Sequence, residues 1–459
     1  MGRLVRAVVA SAVVVALGGA YVAADALDVV PGVLTTAPPV PDPAPFPAPT
    51  YAVAAPLVGA LDAAAPLPDP VAVASLTADL LADPRAGTSV GVVVQDALTG
   101  AVLADVEGYV PRTPASSVKL LGAVAVLDAL GPDHVLTTSV VDDGAGGVVL
   151  VGGGDILLAA GAGDPDAVVG RAGLADLAAE TADALAAAGA SSARVRLDDT
   201  LFTGPVHAPG WGGIDLDFVM PVQPIAVEAG EDPAGGFVAD PALAAGQTFA
   251  AALTAEGVTV DGEVERGAAP TGGAVLAQVH SAPLAQVVGH TMSVSDNSVA
   301  EVLARLVAVE GAHEPSFPGA VAAVLERLAG LGIDTADVHL EDTSGLLIEN
   351  VVPPAVLADV VTTALDPELP DLRGAVAHLP VAALGGTLAG RLEGPAAGVL
   401  RAKTGTLTTA VSLTGLVLDA DGRLLVCAVL ADAVPLGGVG GARAAVDAWA
   451  DALAACGCG

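Results

Sequence analysis

Lysine is almost missing from this chain: Lys119 and Lys403 are its two lysines, and the other fifteen of 17 basic positions are arginine. Basic residues as a class are outnumbered by 52 acidic ones, which sets the formal charge at −35. Such a surface repels a phosphate backbone, so nucleic acid is not an expected partner. Aromatic residues make up 2% of the sequence, too few for a ligand site built on ring stacking. Three cysteines cannot form a disulfide framework. Cys427 reads as a small core residue in an apolar strand, and Cys456 and Cys458 lack the further ligands a metal site needs. Neither a metal nor a cofactor is therefore expected. Long apolar runs are also absent beyond the N-terminus: hydrophobic residues reach 53%, but Asp, Gly or Pro interrupts the Ala and Val every few residues. That pattern excludes a polytopic membrane protein. The seven histidines are scattered with no pair at i, i+4, and no Ser-His-Asp elbow or G-x-x-x-x-G-K-[ST] loop occurs. Gly152-Gly153-Gly154-Asp155 reads as a tight turn after a short strand.

What is present has a clear order. Residues 1–24 have the layout of an export signal or membrane anchor, with Arg3 and Arg6 ahead of an uncharged stretch from Ala7 to Ala24. Either alternative puts the rest of the chain outside the cytoplasm, and an uncleaved segment would add membrane contact. Residues 25–68 read as a tether: twelve of 34 prolines lie between Pro31 and Pro70, including every second position from Pro41 to Pro49. That spacing blocks helix and ladder and favours extended polyproline II. The folded part begins at residue 69 and is long enough for one large domain or two to three smaller ones. A helix is expected over Val71–Ala82, a hairpin over 89–94 and 101–106, and a helix over Ala115–Leu130 ended by Gly131-Pro132. The middle third alternates strands at 147–151, 193–197 and 258–264 with helices at 174–188 and 241–255. Helices dominate 283–329. Three strands follow at 399–407, 411–418 and 424–430, then a helix at 442–455.

The two lysines sit in distinctive surroundings. Ser116-Ser117-Val118-Lys119 opens a predicted helix, where positions i and i+3 share a face, so the Ser116 hydroxyl and Lys119 amine become neighbours. A serine needs a base to become a nucleophile, and a desolvated amine can serve; arginine cannot, because it stays protonated. Lys403-Thr404-Gly405-Thr406 lies on a predicted strand, where a cation, hydroxyls and backbone amides suit a carboxylate and an oxyanion. Each pattern alone also fits a solvated cation or an edge-strand lysine. Two randomly placed lysines would meet both contexts roughly once in a few thousand. Ser295-Asp296-Asn297 supplies a third element between two helical runs. By itself it fits a helix N-cap, yet the alternation lets Ser295 and Asn297 face one cleft. The three appear in the order of serine acyl-transferases that carry S-x-x-K, S-x-N and K-T-G.

With these motifs the chain resembles the penicillin-binding proteins, specifically the D-alanyl-D-alanine carboxypeptidase/endopeptidase group of peptidase family S13. The similarity extends to Leu150-Val151-Gly152-Gly153-Gly154-Asp155, Pro209-Gly210-Trp211, Ser298-Val299-Ala300-Glu301, Leu379-Pro380-Val381-Ala382 and Gly386-Thr387-Leu388. The 175 residues between Lys119 and Ser295 match that group's long insertion and exceed the class A β-lactamase interval. Departures are Leu347 after Ser344-Gly345-Leu346, and Ile225 to Gly230 in place of an Asn-Asp-Asn-like turn.

The resemblance implies an α/β fold of the penicillin-binding/serine β-lactamase-like transpeptidase type, an antiparallel sheet flanked by helices. Residues 69–137 and 274–459 would form it from the N-terminal hairpin and the three C-terminal strands. Residues 138–273 would be an inserted α/β region of one or two modules. It further implies Ser116 as nucleophile, Lys119 as base and Ser295 as proton relay. Asn297 would bind the substrate amide or carbonyl, and Lys403 would support Ser295. Thr404 and Thr406 would hold a terminal carboxylate beside Gly405, and the amides of Ser116 and Thr406 would form the oxyanion hole. The implied activity is serine-type D-Ala-D-Ala carboxypeptidase, with endopeptidase action in addition, on peptidoglycan stem peptides, and the implied inhibitors are β-lactams. The alternatives are a β-lactamase, separated by fast turnover of penicillin, and a non-catalytic wall-binding protein of the same fold.

Overall fold

A computed structural model describes residues 2–27, 29–30, 34 and 63–457. The alternating prolines of the expected tether, and Cys458, lie outside these residues. The chain forms two units, residues 1–60 and 61–459. In the first, the apolar N-terminal run is helix α1 (Gly2–Ala26). Among the described residues no helix is long and apolar enough to cross a membrane.

The second unit starts where Asp69 caps helix α2 (Pro70–Ala82). Its carboxylate accepts from the Val71 amide at 2.9 Å, and Pro70 occupies the first turn, where a missing N–H is harmless. Strands β1 (Ser89–Asp96) and β2 (Val102–Val106) form the hairpin, whose turn is closed by the Thr99 amide donating to Asp96 at 2.9 Å. The helix expected from Ala115 begins later. Residues 115–118 form a 3-10 turn and helix α3 runs Lys119–Leu130. The cause is local: Ala115 sits at φ +45°, and the Pro114 carbonyl is taken by the Ser117 amide (3.1 Å) and the Ser412 hydroxyl (2.6 Å). Every residue from Lys119 to Leu127 is buried, so α3 is a central helix rather than an amphipathic surface one.

Next come β3 (Thr137–Asp142), β4 (Gly147–Val151), helix α4 (Leu174–Ala187), β5 (Ser192–Asp198), helix α5 (Pro241–Ala255), β6 (Thr259–Val260), β7 (Glu265–Arg266) and β8 (Val275–His280). They build a six-stranded sheet in the order β6-β5-β4-β3-β8, with β7 also on β5. Of the strand expected over 258–264 only β6 forms, because Gly262 turns the chain at φ +86°, and β7 follows beyond that span. Strand β8, beyond the expected end of the inserted region at 273, pairs antiparallel with β3. The sheet has its own core, including Val140, Leu150, Leu197 and Phe249.

Helices α6 (Leu284–Val294), α7 (Asn297–Glu310), α8 (Phe317–Gly330), α9 (Pro354–Leu365) and α10 (Gly374–Ala377) follow. Strands β9 (Leu400–Thr406), β10 (Val411–Leu418) and β11 (Leu424–Asp432) and helix α11 (Val439–Ala455) complete the chain. The three strands join the hairpin in an antiparallel sheet ordered β2-β1-β11-β10-β9. Alternation along β11 explains its two covered faces. Val426, Ala428 and Leu430 enter the core shared with α3 and α9, while Leu425, Cys427, Val429 and Ala431 enter the one shared with α2 and α11. The sheet is thus sandwiched between helical layers, and β9 forms an edge beside the 3-10 turn that precedes α3.

Candidate active site

The three motifs converge on one cleft of about 730 Å³, into which Ser116, Ser295, Asn297 and Thr406 open directly. Lys119 and Lys403 stand behind that surface, with 1% and 0% of their area exposed. Lys119 Nζ donates to Ser116 Oγ at 3.0 Å, to Asn297 Oδ1 at 2.6 Å and to the Ser344 carbonyl. Burial, opposed by the charges of Asp342, Glu301 and Asp296, lowers its pKa to about 8. Lys403 Nζ donates to Ser295 Oγ at 2.8 Å and to the Thr404 carbonyl at 2.7 Å. Burial first, and then the neighbouring Lys119 charge, hold Lys403 well below the ordinary lysine range.

Local sequence explains each placement. Ser295 ends α6 in the left-handed region at φ +64°, and Asp296 caps α7 by accepting from the Val299 amide at 2.9 Å. The N-cap alternative therefore holds for Asp296, while Ser295 and Asn297 on either side face the cleft. Thr404 is not open to it: 7% exposed, its hydroxyl meets that of Thr387 at 2.8 Å. Gly405 is required by close approach. A Cβ there would collide with the Ser412 hydroxyl and lie 2.8 Å from Ala115 Cβ and 2.9 Å from the Pro114 carbonyl. The turn that carries Ser116 is thus seated on β9, and the Ser117 and Ser412 hydroxyls, 2.8 Å apart, fasten it to β10.

All eight residues singled out from the sequence are brought together, and several others join them unforeseen. The Phe218 carbonyl, on a loop between β5 and α5, accepts from Asn297 Nδ2 at 2.8 Å, and the Met220 amide donates to Ser298 Oγ at 3.0 Å. The turn 342–350 supplies the Ser344 carbonyl, and its Gly345 packs so closely on the Ala115 carbonyl that no side chain fits. Leu347, the departure noted above, uses only its backbone there, donating to Asp342 at 2.9 Å, while its side chain packs on Gly210. Glycine at 345 and the acidic Glu301 in an apolar helix were the available signals. Among the described residues no group of three or more His, Cys, Asp or Glu side chains is placed to hold a metal ion.

Residues 73–234 and 224–453 match the D-Ala-D-Ala carboxypeptidase 3 (S13) family. The chain is similar to Carboxypeptidase DacB of Mycolicibacterium smegmatis, with 39% identity over 428 residues, 90% of each chain. It is 31% identical over 434 residues to the D-alanyl-D-alanine carboxypeptidase of an Actinomadura species, covering 75% of this chain and 78% of that one. Its fold is similar to the crystal structure of penicillin binding protein 4 from Haemophilus influenzae, with TM-score 0.69, 22% identity, and 82% and 97% of the two chains covered.

Proposed function

This chain belongs to the D-Ala-D-Ala carboxypeptidase 3 (S13) family, and we propose that it hydrolyses the terminal D-alanyl-D-alanine bond of peptidoglycan stem peptides through an acyl-enzyme on Ser116. The observation that carries this reading is the buried Lys119 amine 3.0 Å from Ser116 Oγ, its pKa lowered by that burial. A neutral Lys119 takes the Ser116 proton as Oγ attacks the penultimate carbonyl. The oxyanion is met by the amides of Ser116 and Thr406. Ser295 Oγ hands a proton to the departing D-Ala nitrogen and is resupplied from Lys403, which donates to it at 2.8 Å. Asn297 orients the substrate amide, and Thr406, with Thr404 behind it, receives the terminal carboxylate. Water then hydrolyses the ester.

The two lysines influence each other electrostatically, and burial disfavours charge on both. Burial and then the Lys119 charge disfavour a proton on Lys403, and Lys119 becomes neutral, and so able to act as base, as pH rises past about 8. Endopeptidase action on D-Ala cross-links would use the same steps. We also propose an extracytoplasmic location, residues 1–24 acting as export signal, with membrane contact if that segment stays attached.

Wild type and Ser116→Ala, incubated with labelled penicillin and a D-Ala-D-Ala peptide, test the reading. Wild type is expected to retain label for many minutes and release D-Ala, and the variant to do neither. Rapid loss of label would favour a β-lactamase. Absence of both label and D-Ala release in wild type would leave only the binding-protein alternative.

A further inference from the structure

We propose that Glu301 is a positioning residue for Lys119: it fixes the turn whose Ser344 carbonyl holds the amine, and it supplies a negative charge beside the amine. The inference rests on the acyl-enzyme reading above. Glu301 lies one turn after Asn297 on α7, so the two share a face, Asn297 at the cleft and Glu301 beneath it. It is fully buried. One carboxylate oxygen accepts from the Thr343 amide (2.9 Å) and the Ser344 amide (2.7 Å), and the other from the Thr343 hydroxyl (2.9 Å). The residue whose N–H is gripped in this way, Ser344, presents its carbonyl to Lys119 Nζ.

A second buried carboxylate fixes the rest of the turn. Asp342 accepts from the Gly345 amide (2.7 Å), the Leu347 amide (2.9 Å), Asn350 Nδ2 (2.9 Å) and Trp211 Nε1 (2.8 Å). A void of about 10 Å³ lined by Lys119, Ala123, Met292 and Thr343 adjoins the cluster. It has room for at most about one water.

The charges facing Lys119 are Glu301 and Asp296 on α7, Asp342 on the turn and Lys403 on β9. Those facing Glu301 are Asp342, Lys119 and, on its own helix, Arg305. Burial first, and then Asp342, raise the Glu301 carboxyl to about 7. It is therefore ionised over the range in which Lys119 loses its proton, near 8. Removing that charge makes the amine easier to deprotonate.

The test is the rate of acylation by labelled penicillin between pH 5 and 10 for the full-length wild type, Glu301→Gln and Glu301→Ala, with folding checked by near-UV circular dichroism. Gln can still accept the two amides without the charge. Its acidic limb is expected to move down by about half to one pH unit. Ala releases the turn and is expected to lose roughly tenfold or more at every pH. A Gln profile superimposable on wild type, or an Ala variant that acylates normally, overturns the proposal while leaving the acyl-enzyme reading intact. If Ala fails to fold, the Gln profile alone decides. Wild type that takes no label sinks both.

Discussion

At the scale of single residues, the chain keeps lysine at the two positions where arginine would not perform the proposed chemistry. A guanidinium at 119 stays protonated, so Lys119→Arg is expected to lower the rate of acylation by roughly a thousandfold or more while preserving the charge. Near-normal labelling of that variant would remove Lys119 as the base. The same assignment fixes a pH dependence. The base works when neutral, its pKa is lowered to about 8, and acylation should therefore rise from pH 6 toward a plateau above 8. A rate that falls across that interval contradicts it. These two lysines were legible because their neighbours repeat recognisable spacings. Glu301 and Ser344 were not, because their contact depends on a turn some forty residues downstream returning to α7. The local hints were the glycine at 345 and an acid between the buried Ala300 and Val302.

Among the elements, the junction of the turn that carries Ser116 with β9 decides whether the proposed site assembles. Ala115 in the left-handed region and a glycine at 405 are two halves of one close approach. Gly405→Ala is expected to push the Pro114–Ser116 turn off the strand and reduce acylation by about a hundredfold, with a loss of stability of roughly 1–3 kcal/mol from overpacking. Penicillin labelling and thermal unfolding measure the two effects. Unimpaired labelling in a folded Gly405→Ala protein would show that the close approach is dispensable. Strands such as β11 were readable because apolar residues on both faces give a continuous run bounded by turns. The 3-10 start before α3 was not, since it is imposed by Ser412 bonding the Pro114 carbonyl from a distant strand. Likewise the break between β6 and β7 depends on Gly262 adopting positive φ, a choice that an apolar pattern does not encode.

For the whole molecule, the long interval between the first two motifs announced an insertion, but its contribution to the site became visible only in three dimensions. We propose domain limits near residues 137 and 281, because β3 and β8, the first and last strands of the inserted sheet in chain order, pair antiparallel. The Phe218 and Met220 contacts on α7 then tie that region to the cleft. The insertion also carries part of the molecule's response to pH. Asp155, buried at the end of the Gly152–Gly154 turn, accepts from the Leu157 amide at 2.9 Å, yet burial raises its carboxyl to about 6. Glu301 is raised likewise, to about 7. A carboxyl whose folded pKa is raised contributes stability that is complete below its unfolded value and is lost as pH rises through the folded one. For Asp155 the loss between pH 4 and pH 8 is on the order of 3 kcal/mol. Asp96 acts in the opposite sense: burial, the largest single influence, pushes its carboxyl up, but the hydrogen bonds from Arg423 and Thr99 and the Arg423 charge together outweigh it and lower its pKa, so its contribution is lost as pH falls through that lowered value. Repulsion within a chain of charge −35 adds to the loss on the alkaline side. Asp155 and Glu301 should therefore hold the calorimetric midpoint several degrees higher at pH 5.5 than at pH 8, against the buried lysines, whose lowered pKa values act in the opposite sense as pH rises through them. Asp155→Asn keeps an acceptor for Leu157 without the titration, and should shrink that difference. A midpoint that is flat or rising between the two pH values would mean that these buried carboxyls do not govern the stability of the fold.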